Sequence, residues 1–366
     1  MENQEKLGKF MSKTRDWHIY NLAKTNEKKM FLYLLKELCD LIPEPVQTMG
    51  RPRIPIKDLT FTAGLKLYTR LSGRTLACDL ENAKGAKFIS SEPHYNTFND
   101  FMNCPATYDL FIRLLQISAL PLQELEDAFS IDSSGFGTYQ YERWKKFRFS
   151  PDFEQGKGTR NYLKGHICIG TNTHIVTACE VTYGNLSDVK QAPELLNVLA
   201  RNFKPKEVSC DAGYSSKKIH QIIEEMNATP YIFFKSNANP SEFSPEIWKK
   251  MYLLFKNEPE KFKKKYHKRS NVESVFSMVK MRLGEFLKSK NYESQRAELM
   301  MKFIVHNICC LIQQIFQNSI KIDFKECEDR FERLKEEHRK LQGLRAEKLR
   351  RQTYDGPMDL KDIRRV

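Results

Sequence analysis

The spacing of apolar residues changes near Asp127, and this change constrains the fold more than any other feature of the sequence. Before it, apolar residues recur every three or four positions, as in residues 30–42 and 59–71, which is typical of amphipathic helices. After it, shorter runs alternate apolar and polar residues and predict strands. We therefore expect a helical domain over residues 1–125 and a sheet-containing domain over residues 126–317.

The elements predicted after residue 126 come in the order strand, strand, strand, helix, strand, helix, strand. The strands begin near Ala128, Leu163, His174, Glu207 and Tyr231, and the two helices cover residues 192–199 and 217–226. Because strands follow one another without an intervening helix, a doubly wound α/β fold is disfavoured. The order instead fits an α/β fold with a mixed sheet, an RNase H-like core, followed by a charged helical extension over residues 318–366.

Two of the predicted strands run into an aspartate followed by small residues. Asp132 follows the strand that begins at Ala128, and Asp211 follows the strand that begins at Glu207. Either aspartate alone is weak evidence, since many aspartates at strand ends only cap turns. If the first and fourth strands are neighbours, however, both carboxylates meet at one edge of the sheet.

A third carboxylate, Glu273, belongs to a polar stripe. Tyr266, Arg269, Glu273 and Lys280 follow one another at intervals of three, four and seven residues, which places them on one face of a predicted helix. A carboxylate beside two cations and a phenol suits an anionic backbone held next to a metal site. The alternative is an ordinary exposed face on which Arg269 and Glu273 pair across one turn.

This stripe resembles the Y-R-E-K signature of DDE transposases from prokaryotic insertion sequences, and it matches at every position. The segments IDSSGF (residues 131–136) and CDAGYSS (residues 210–216) look like the two aspartate motifs of that family. The similarity extends over residues 128–316, whereas the N-terminal part is similar only in general character. The resemblance implies an enzyme whose catalytic and metal-binding residues are Asp132, Asp211 and Glu273.

The resemblance also implies the chemistry of the site. The three carboxylates would hold two Mg²⁺ ions, with Mn²⁺ as a substitute. One site would cleave the DNA strand at a transposon end and then transfer the freed 3′-hydroxyl to target DNA, without a covalent protein intermediate. The family's Tyr, Arg and Lys contact the end DNA, which implies that role for Tyr266, Arg269 and Lys280. A homodimer is expected because two ends must be handled together.

Two other function classes stay open at this point. A transposase-derived DNA-binding protein would keep the basic helices and lose catalysis, and a nuclease with an RNase H-like fold would cut DNA that lacks a transposon end. The N-terminal helices are either a DNA-end reader or a helical cap packed on the core. The charged extension after residue 318 is expected to be a solvated helix, with a dimerising or DNA-tracking helix as the alternative.

Some polar and aromatic residues fit structural roles better than catalytic ones. His166 and His174 lack the spacing of a zinc site, and Trp248 is expected in the core. Asp188 either supports the catalytic site from behind or caps the helix that follows it.

The charge of the chain favours a polyanionic partner. Lys and Arg number 60 against 46 Asp and Glu, which gives a formal charge of +14. Such an excess binds DNA phosphates by counterion release, although ribosome-associated and membrane-surface proteins are also basic. Nine cysteines without a C-x-x-C pair indicate reduced thiols. With no apolar leader or membrane-length apolar run recognised, we expect a cytoplasmic, nucleoid-associated protein that does not enter a membrane.

Overall fold

A mixed sheet lies at the centre of the computed structural model, which describes residues 16–138, 162–236 and 238–353, with side chains as far as residue 342. Within these residues the sheet has six strands. The strands are β1 (Ala128–Thr138), β2 (Tyr162–Gly170), β3 (Val176–Tyr183), β4 (Glu207–Cys210), β5 (Thr229–Ile232) and β6 (Phe286–Leu287). Their order is β3-β2-β1-β4-β5, and β6 pairs with β1.

The directions of the strands are those of an RNase H-like core. β1, β2 and β3 are antiparallel neighbours, whereas β4 and β5 continue the sheet in parallel from the other edge of β1. The predicted mixed α/β sheet is therefore confirmed, including the adjacency of the first and fourth strands. The fifth strand lies earlier in the chain than predicted. We expected it to begin near Tyr231, but β5 begins at Thr229 and ends at Ile232, so most of the apolar run after Tyr231 lies beyond it.

The central strand, β1, is longer than predicted. We expected Asp132 to end it, but antiparallel pairing with β2 continues as far as Gly137. The small residues that predicted a turn serve a different purpose, because aromatic rings cover this strand. A Cβ added at Gly137 would lie 2.7 Å from the ring of Phe286, and one at Gly135 would lie 3.0 Å from the ring of Tyr162.

Helices surround the sheet and make up most of the described chain. The N-terminal helices are α1 (Trp17–Asp40), α2 (Ile56–Thr69), α3 (Ala77–Gly85), α4 (Tyr95–Asn103) and α5 (Pro105–Ala119). The remaining helices are α6 (Ala192–Asn202), α7 (Lys217–Glu225), α8 (Glu246–Asn257), α9 (Pro259–Tyr266), α10 (Ser270–Leu283), α11 (Tyr292–Asn318) and α12 (Phe324–Thr353). The two aspartate-bearing strands, β1 and β4, are therefore joined through β2, β3 and α6.

The longest apolar helix, α11, joins the N-terminal helices to the sheet. It packs against α1, α2, α4 and α5 on one side and against β2 and β3 on the other, and all of them share one hydrophobic core. Among the described residues, α11 is long and apolar enough to cross a membrane by length and composition, contrary to the expectation that no run would reach that level. Within the structure, 72% of its apolar window is buried, as expected of a core helix.

Two polar contacts fix the C-terminal end of α10 and the segment that follows it. Arg282, near the end of α10, pairs with the buried carboxylate of Glu27 on α1. Lys302 on α11 is 1% exposed, and its Nζ donates to the backbone oxygens of Gly284 and Phe286 at 2.7 and 2.9 Å. The position of α10 is therefore set by both the N-terminal helices and α11.

The C-terminal helix, α12, is not solvated along its whole length. Phe324, Cys327 and Phe331 are buried, and α12 packs against α5 and α6. Arg113 on α5 also forms an ion pair with Glu328. Further along, Leu341 is 57% exposed. The prediction of a solvated helix therefore holds for the later described residues of α12 and not for its beginning.

Candidate active site

Asp132 and Asp211 lie side by side on neighbouring strands. In the parallel ladder between β1 and β4, Ile131 pairs with Cys210. The next residue in each segment is an aspartate, which is Asp132 within β1 and Asp211 directly after β4. The parallel pairing ends at this point, which frees both side chains from a neighbouring strand on that edge. The sequence prediction that the two aspartates meet rests on this adjacency of β1 and β4, which the structure contains.

The local surroundings of the two aspartates differ. The side chain of Asp132 is 19% exposed, and its Oδ1 accepts from the backbone N–H of Ser133 at 2.8 Å. Asp211 is exposed, and its Oδ1 accepts from the backbone N–H of Ala212 at 2.7 Å, at the start of a short 3₁₀ turn. Asp132 is thus held in a partly desolvated position, and Asp211 faces solvent beside it.

Glu273 reaches the same place from the first turn of α10. Val272, Val275 and Phe276 on this helix are buried, and α10 packs on β1. The side chain of Glu273 remains 58% exposed beside these buried residues.

One guanidinium connects two of the three carboxylates. Arg269 Nη1 donates to Asp132 Oδ2 at 2.9 Å, and its Nη2 donates to Glu273. The i,i+4 pair between Arg269 and Glu273, which sequence reasoning kept as the ordinary alternative, is therefore present. The same Arg269 also reaches across to β1, which a solvated helical pair would not do.

Burial and negative neighbours act together on Asp132. Burial raises the pKa of its carboxyl above the ordinary value, and the charges of Asp211 and Glu273 raise it further. The N–H of Ser133 and the charge of Arg269 oppose this shift. The carboxylates are thus close enough to repel one another, and a cation at this point relieves the repulsion.

Tyr266 lies beside this group but faces a second, smaller core. Its ring is 9% exposed and lies 3.9 Å, between centroids, from the ring of Phe233. A 3₁₀ turn over residues 267–269 separates Tyr266, the last residue of α9, from α10. Burial raises the pKa of its phenol to about 12. The Arg269 guanidinium carbon lies 5.8 Å from the Tyr266 ring centre, so the tyrosine flanks the arginine.

Lys280 is placed further along the same face of the sheet. Its Nζ donates to Ser134 Oγ at 2.8 Å and lies 5.1 Å from the ring centre of Phe136. Both contacts are on β1, beyond Asp132 in the chain. Arg269 and Lys280 therefore bind side chains of β1, and Glu273 is linked to β1 through Arg269. The ring of Tyr266 packs instead in the aromatic core.

The donor atoms of the site suit a hard divalent cation, although they are not arranged around one. The three acids offer only oxygen ligands, which Mg²⁺ and Mn²⁺ prefer. Among the residues that the structure describes, no three His, Cys, Asp or Glu side chains stand close enough together to hold a metal ion. Arg269 occupies the space between Asp132 and Glu273. Asp132 and Glu273 are therefore paired with a cation of the protein itself.

A second layer of polar residues lies behind β1. Asp188 accepts from Lys164 Nζ at 2.8 Å and lies 3.5 Å from Nδ1 of the fully buried His166. Its side chain therefore binds β2 residues and does not cap the helix that follows, so the helix-cap alternative is wrong. Burial lowers the pKa of His166 to about 4, so this imidazole is neutral near pH 7. Trp248 is 6% exposed, and its expected core position is confirmed.

A buried tyrosine behind the aspartates has no counterpart among the residues predicted from sequence. Tyr214 closes the 3₁₀ turn after Asp211 and is 2% exposed. Burial, with the nearby charge of Asp132, raises the pKa of its phenol above the usual range. The signal that could have found it is its place three residues after Asp211, in a segment that matches the second aspartate motif.

Comparison with known protein families agrees with this geometry. A family model described as the transposase DDE domain matches residues 123–308, which is just over half of the chain. The chain belongs to the transposase DDE domain family. The matched segment begins before β1 and ends within α11, so it includes both aspartates and Glu273.

Individual relatives include transposases. The chain is 27% identical over 205 residues to a probable transposase for insertion sequence element ISA1214 from Archaeoglobus fulgidus. That match covers 56% of this chain and 58% of the relative, so the chain spans less than two thirds of the relative's length. A cryo-EM structure of the piggyBac transposase synaptic complex with hairpin DNA is similar with a TM-score of 0.38 and 10% identity, over 92% of this chain and 80% of that one.

Proposed function

We propose that this DDE-domain protein is a transposase that cleaves DNA at the ends of an insertion sequence and joins the freed 3′-hydroxyl to target DNA. The observation that carries the proposal is the alignment of Asp132 with Asp211 across neighbouring strands, together with the arginine that links Asp132 to Glu273. Membership of the DDE family supports the same assignment.

We propose Mg²⁺, with Mn²⁺ as a substitute, as the cofactor held by Asp132, Asp211 and Glu273. Two bound ions would supply Lewis-acid activation of the attacking hydroxyl and stabilisation of the leaving oxygen. The crowding of negative charge around Asp132 supports this assignment, because a divalent cation relieves it more fully than one guanidinium does. Arg269 then releases the carboxylates, and its charge becomes available to DNA.

We assign contacts with the end DNA to Tyr266, Arg269 and Lys280. Arg269 and Lys280 lie on the same side of β1 as the acids, where they can bind phosphate oxygens on either side of the cleaved bond. The buried ring of Tyr266 leaves little of its face for DNA, so we propose that it acts mainly by holding the guanidinium of Arg269.

The other parts of the chain are assigned by extension. We propose residues 1–125 as the end-binding helical domain, residues 126–317 as the catalytic domain and residues 318–366 as a charged C-terminal tail. The active form is proposed to be a homodimer, because two ends are joined in one event, and to work on DNA in the cytoplasm, at the nucleoid. The N-terminal helices contact α11 through α1, α2, α4 and α5. DNA bound to these helices would therefore be held in a fixed orientation relative to the catalytic domain.

The test is strand cleavage and joining on labelled DNA that carries the terminal repeats of the element. Wild-type protein with Mg²⁺ should nick the ends and join them to target DNA. Asp132→Asn, Asp211→Asn and Glu273→Gln should each bind the ends and lose cleavage by about a hundredfold to a thousandfold, because removal of a group that stabilises transition-state charge has effects of this size.

Asp127→Asn is the matched control, because Asp127 is a half-exposed acid that precedes β1 and pairs with Lys206. It should cleave like wild type. If cleavage survives the loss of any one of the three acids, the site assignment is wrong. A wild-type protein that binds ends and never cuts them would be a DNA-binding derivative, and one that cuts DNA without terminal repeats equally well would be a nuclease.

A further inference from the structure

A cleft of about 340 Å³ lies between the N-terminal helices and the beginning of α11. α2 lines it with Lys66, and the segment before α11 lines it with Lys288 and Lys290. We call it the lysine cleft after these three residues. Amide side chains complete the wall, where Asn291 Nδ2 donates to Asn103 Oδ1 at 3.2 Å and so joins α4 to the segment that carries the lysines.

Positive charge dominates the lysine cleft. Lys66 lies 5.4 Å from the ring centre of Phe98, and Lys288 donates to the backbone oxygen of Arg70 at 2.9 Å, which is a neutral acceptor. Among the described ion pairs, none joins Lys66 or Lys288 to an acidic side chain. Burial lowers the pKa of Lys66, and repulsion by Lys288 adds to this while Glu298 opposes it.

The acid among the residues that line the cleft is already engaged. The carboxylate of Glu298 is 2% exposed and accepts from the backbone N–H groups of Lys288 and Ser289 at 2.8 to 3.0 Å. It therefore shapes the segment that carries the lysines. The Glu298 carboxylate also lies 3.9 Å from the ammonium of the buried Lys302. Its negative charge is therefore balanced outside the three cleft lysines, and the cleft stays cationic.

The composition of the cleft indicates the class of ligand. Small-molecule sites are lined mainly by apolar and aromatic side chains, whereas this cleft has three lysines and several amides and hydroxyls. Lysine amines and amide N–H groups are donors that bind phosphate oxygens. The ligand class is therefore a phosphate group, either in DNA or free in solution.

The position of the cleft favours DNA. Gly137, near the end of β1, pairs with Phe286, two residues before Lys288. Lys280 contacts the same half of β1 through Ser134. A DNA strand that leaves the candidate active site past Lys280 would therefore meet the lysine cleft next.

We propose that the lysine cleft binds a backbone phosphate of the DNA that enters the active site. This contact would hold the strand at a second position, away from the cleaved bond. This inference rests on the proposed function. It adds a phosphate-binding site at the junction of the helical and catalytic parts, made by residues outside the Y-R-E-K stripe.

Binding to end DNA, measured by fluorescence anisotropy with the full chain in EDTA over a range of KCl concentrations, tests the proposal without cleavage. The variant Lys66→Gln/Lys288→Gln/Lys290→Gln should weaken binding roughly tenfold at physiological salt, the effect of losing a charge-assisted hydrogen bond. The slope of log K against log salt should become shallower by about 1, because the variant neutralises one DNA phosphate fewer. Lys290→Gln alone, at an exposed position, should give a smaller change in the same direction.

The matched control is Lys325→Gln/Lys335→Gln/Lys340→Gln, which removes the same charge from exposed positions on α12. It should leave the salt slope unchanged. Equal losses of affinity in the two triple variants would mean that only overall charge matters and would overturn the proposal. Isothermal titration with inorganic phosphate separates the two sources of ligand: saturable phosphate binding at the lysine cleft, with DNA affinity unaffected by the cleft variant, would also overturn it.

The outcome can be distinguished from that of the proposed function. The anisotropy assay needs no metal and no intact Asp132, so the cleft can be disproved while cleavage at transposon ends stands. Conversely, a protein that never cuts DNA can still show the cleft-dependent salt slope.

Discussion

Arg269 Nη1 lies 2.9 Å from Asp132 Oδ2, and this ion pair places a protein cation where the proposed metal ions would bind. The same guanidinium pairs with Glu273. A guanidinium carries one fixed charge and cannot be deprotonated near neutral pH, so it competes with a divalent cation for the two carboxylates. DNA phosphates would compete for Arg269 in turn, which couples the binding of DNA to the binding of metal.

Removal of this guanidinium should therefore strengthen metal binding in the absence of DNA. Arg269→Ala leaves Asp132 and Glu273 without their cation, and we expect its affinity for Mn²⁺ to rise roughly tenfold, which is about 1.4 kcal/mol and well below the Coulomb energy of a close surface pair. Isothermal titration or electron paramagnetic resonance of Mn²⁺ measures this without any catalytic assay.

Arg269→Lys is the control for this prediction, because it keeps the positive charge. It should bind Mn²⁺ nearly as weakly as wild type, and Arg269→Ala/Asp132→Asn should not show the increase. An Arg269→Ala protein that binds Mn²⁺ no more tightly than wild type would show that the ion pair does not compete with metal.

The sequence predicts the part of the site that depends on local spacing. Arg269 and Glu273 are four residues apart on a helix, and that spacing alone brings them together. Asp132 and Asp211 follow from the order of the strands, since adjacency of the first and fourth strands aligns residues 131 and 210. Both inferences need only regular secondary structure.

Tertiary contacts decide what the sequence does not predict. The spacing of Tyr266 predicts a place on the polar face, but Phe233, from a distant segment, packs on its ring. The glycines after Asp132 predict a turn, yet β2 and the ring of Phe286 extend the strand instead. The lysine cleft is assembled from α2, α4 and the segment before α11, so no single stretch of sequence carries its pattern.

A close approach at Gly170 makes this residue sensitive to substitution. A Cβ at this position would lie 2.3 Å from Glu126 Cδ, and the Glu126 carboxylate accepts from the backbone N–H groups of Asn172 and Thr173 at 3.1 and 2.5 Å. Gly170→Ala should lower the free energy of unfolding by about 3 kcal/mol, through overpacking and weakened hydrogen bonds to a buried charge. Urea denaturation measures this change.

Gly85→Ala is the matched control, because nothing lies within 4 Å of its added Cβ. It should change the free energy of unfolding by no more than about 1 kcal/mol, in the stabilising direction expected for alanine at a helix end. Equal stability of the two variants would contradict the packing argument at Gly170.

The ion pair between Glu27 and Arg282 should couple the N-terminal helices to α10. Glu27 is 8% exposed and also accepts from Lys24 at 2.7 Å. A double-mutant cycle with Glu27→Gln and Arg282→Met should give a coupling energy of about 1 to 2 kcal/mol, reduced from the range for fully buried pairs because Arg282 is partly exposed.

The pH dependence of this coupling has a defined sign. Burial alone would raise the pKa of Glu27, but Arg282 and Lys24 outweigh it and hold the pKa below the ordinary value of 4.5. The pair therefore contributes its full stability above pH 4.5, and the contribution disappears as the pH falls below the lowered pKa. A coupling energy that stays constant down to about pH 3, well under the ordinary carboxyl pKa, would argue against an ionised Glu27.

The buried Lys302 should also make stability rise with pH, but in the alkaline range. Burial lowers its pKa from 10.5 to about 8, so between these values the unfolded chain binds a proton that the folded protein does not. Stability from this group therefore rises with pH across that window, by up to about 1.4 kcal/mol per pH unit, and is lower below about pH 8. Because a neutral amine can still donate to the oxygens of Gly284 and Phe286, both hydrogen bonds persist.

Lys302→Met isolates this contribution, because it removes the titrating group and keeps an unbranched side chain. At neutral pH the variant leaves two backbone oxygens without their donor, and we expect a loss of about 1 to 3 kcal/mol. The stability difference between wild type and variant, measured by urea denaturation from about pH 7 to the ordinary lysine pKa, should widen with pH. A difference that stays flat across this range would mean that Lys302 is charged in the folded protein, in which case its charge is balanced by Glu298 at 3.9 Å.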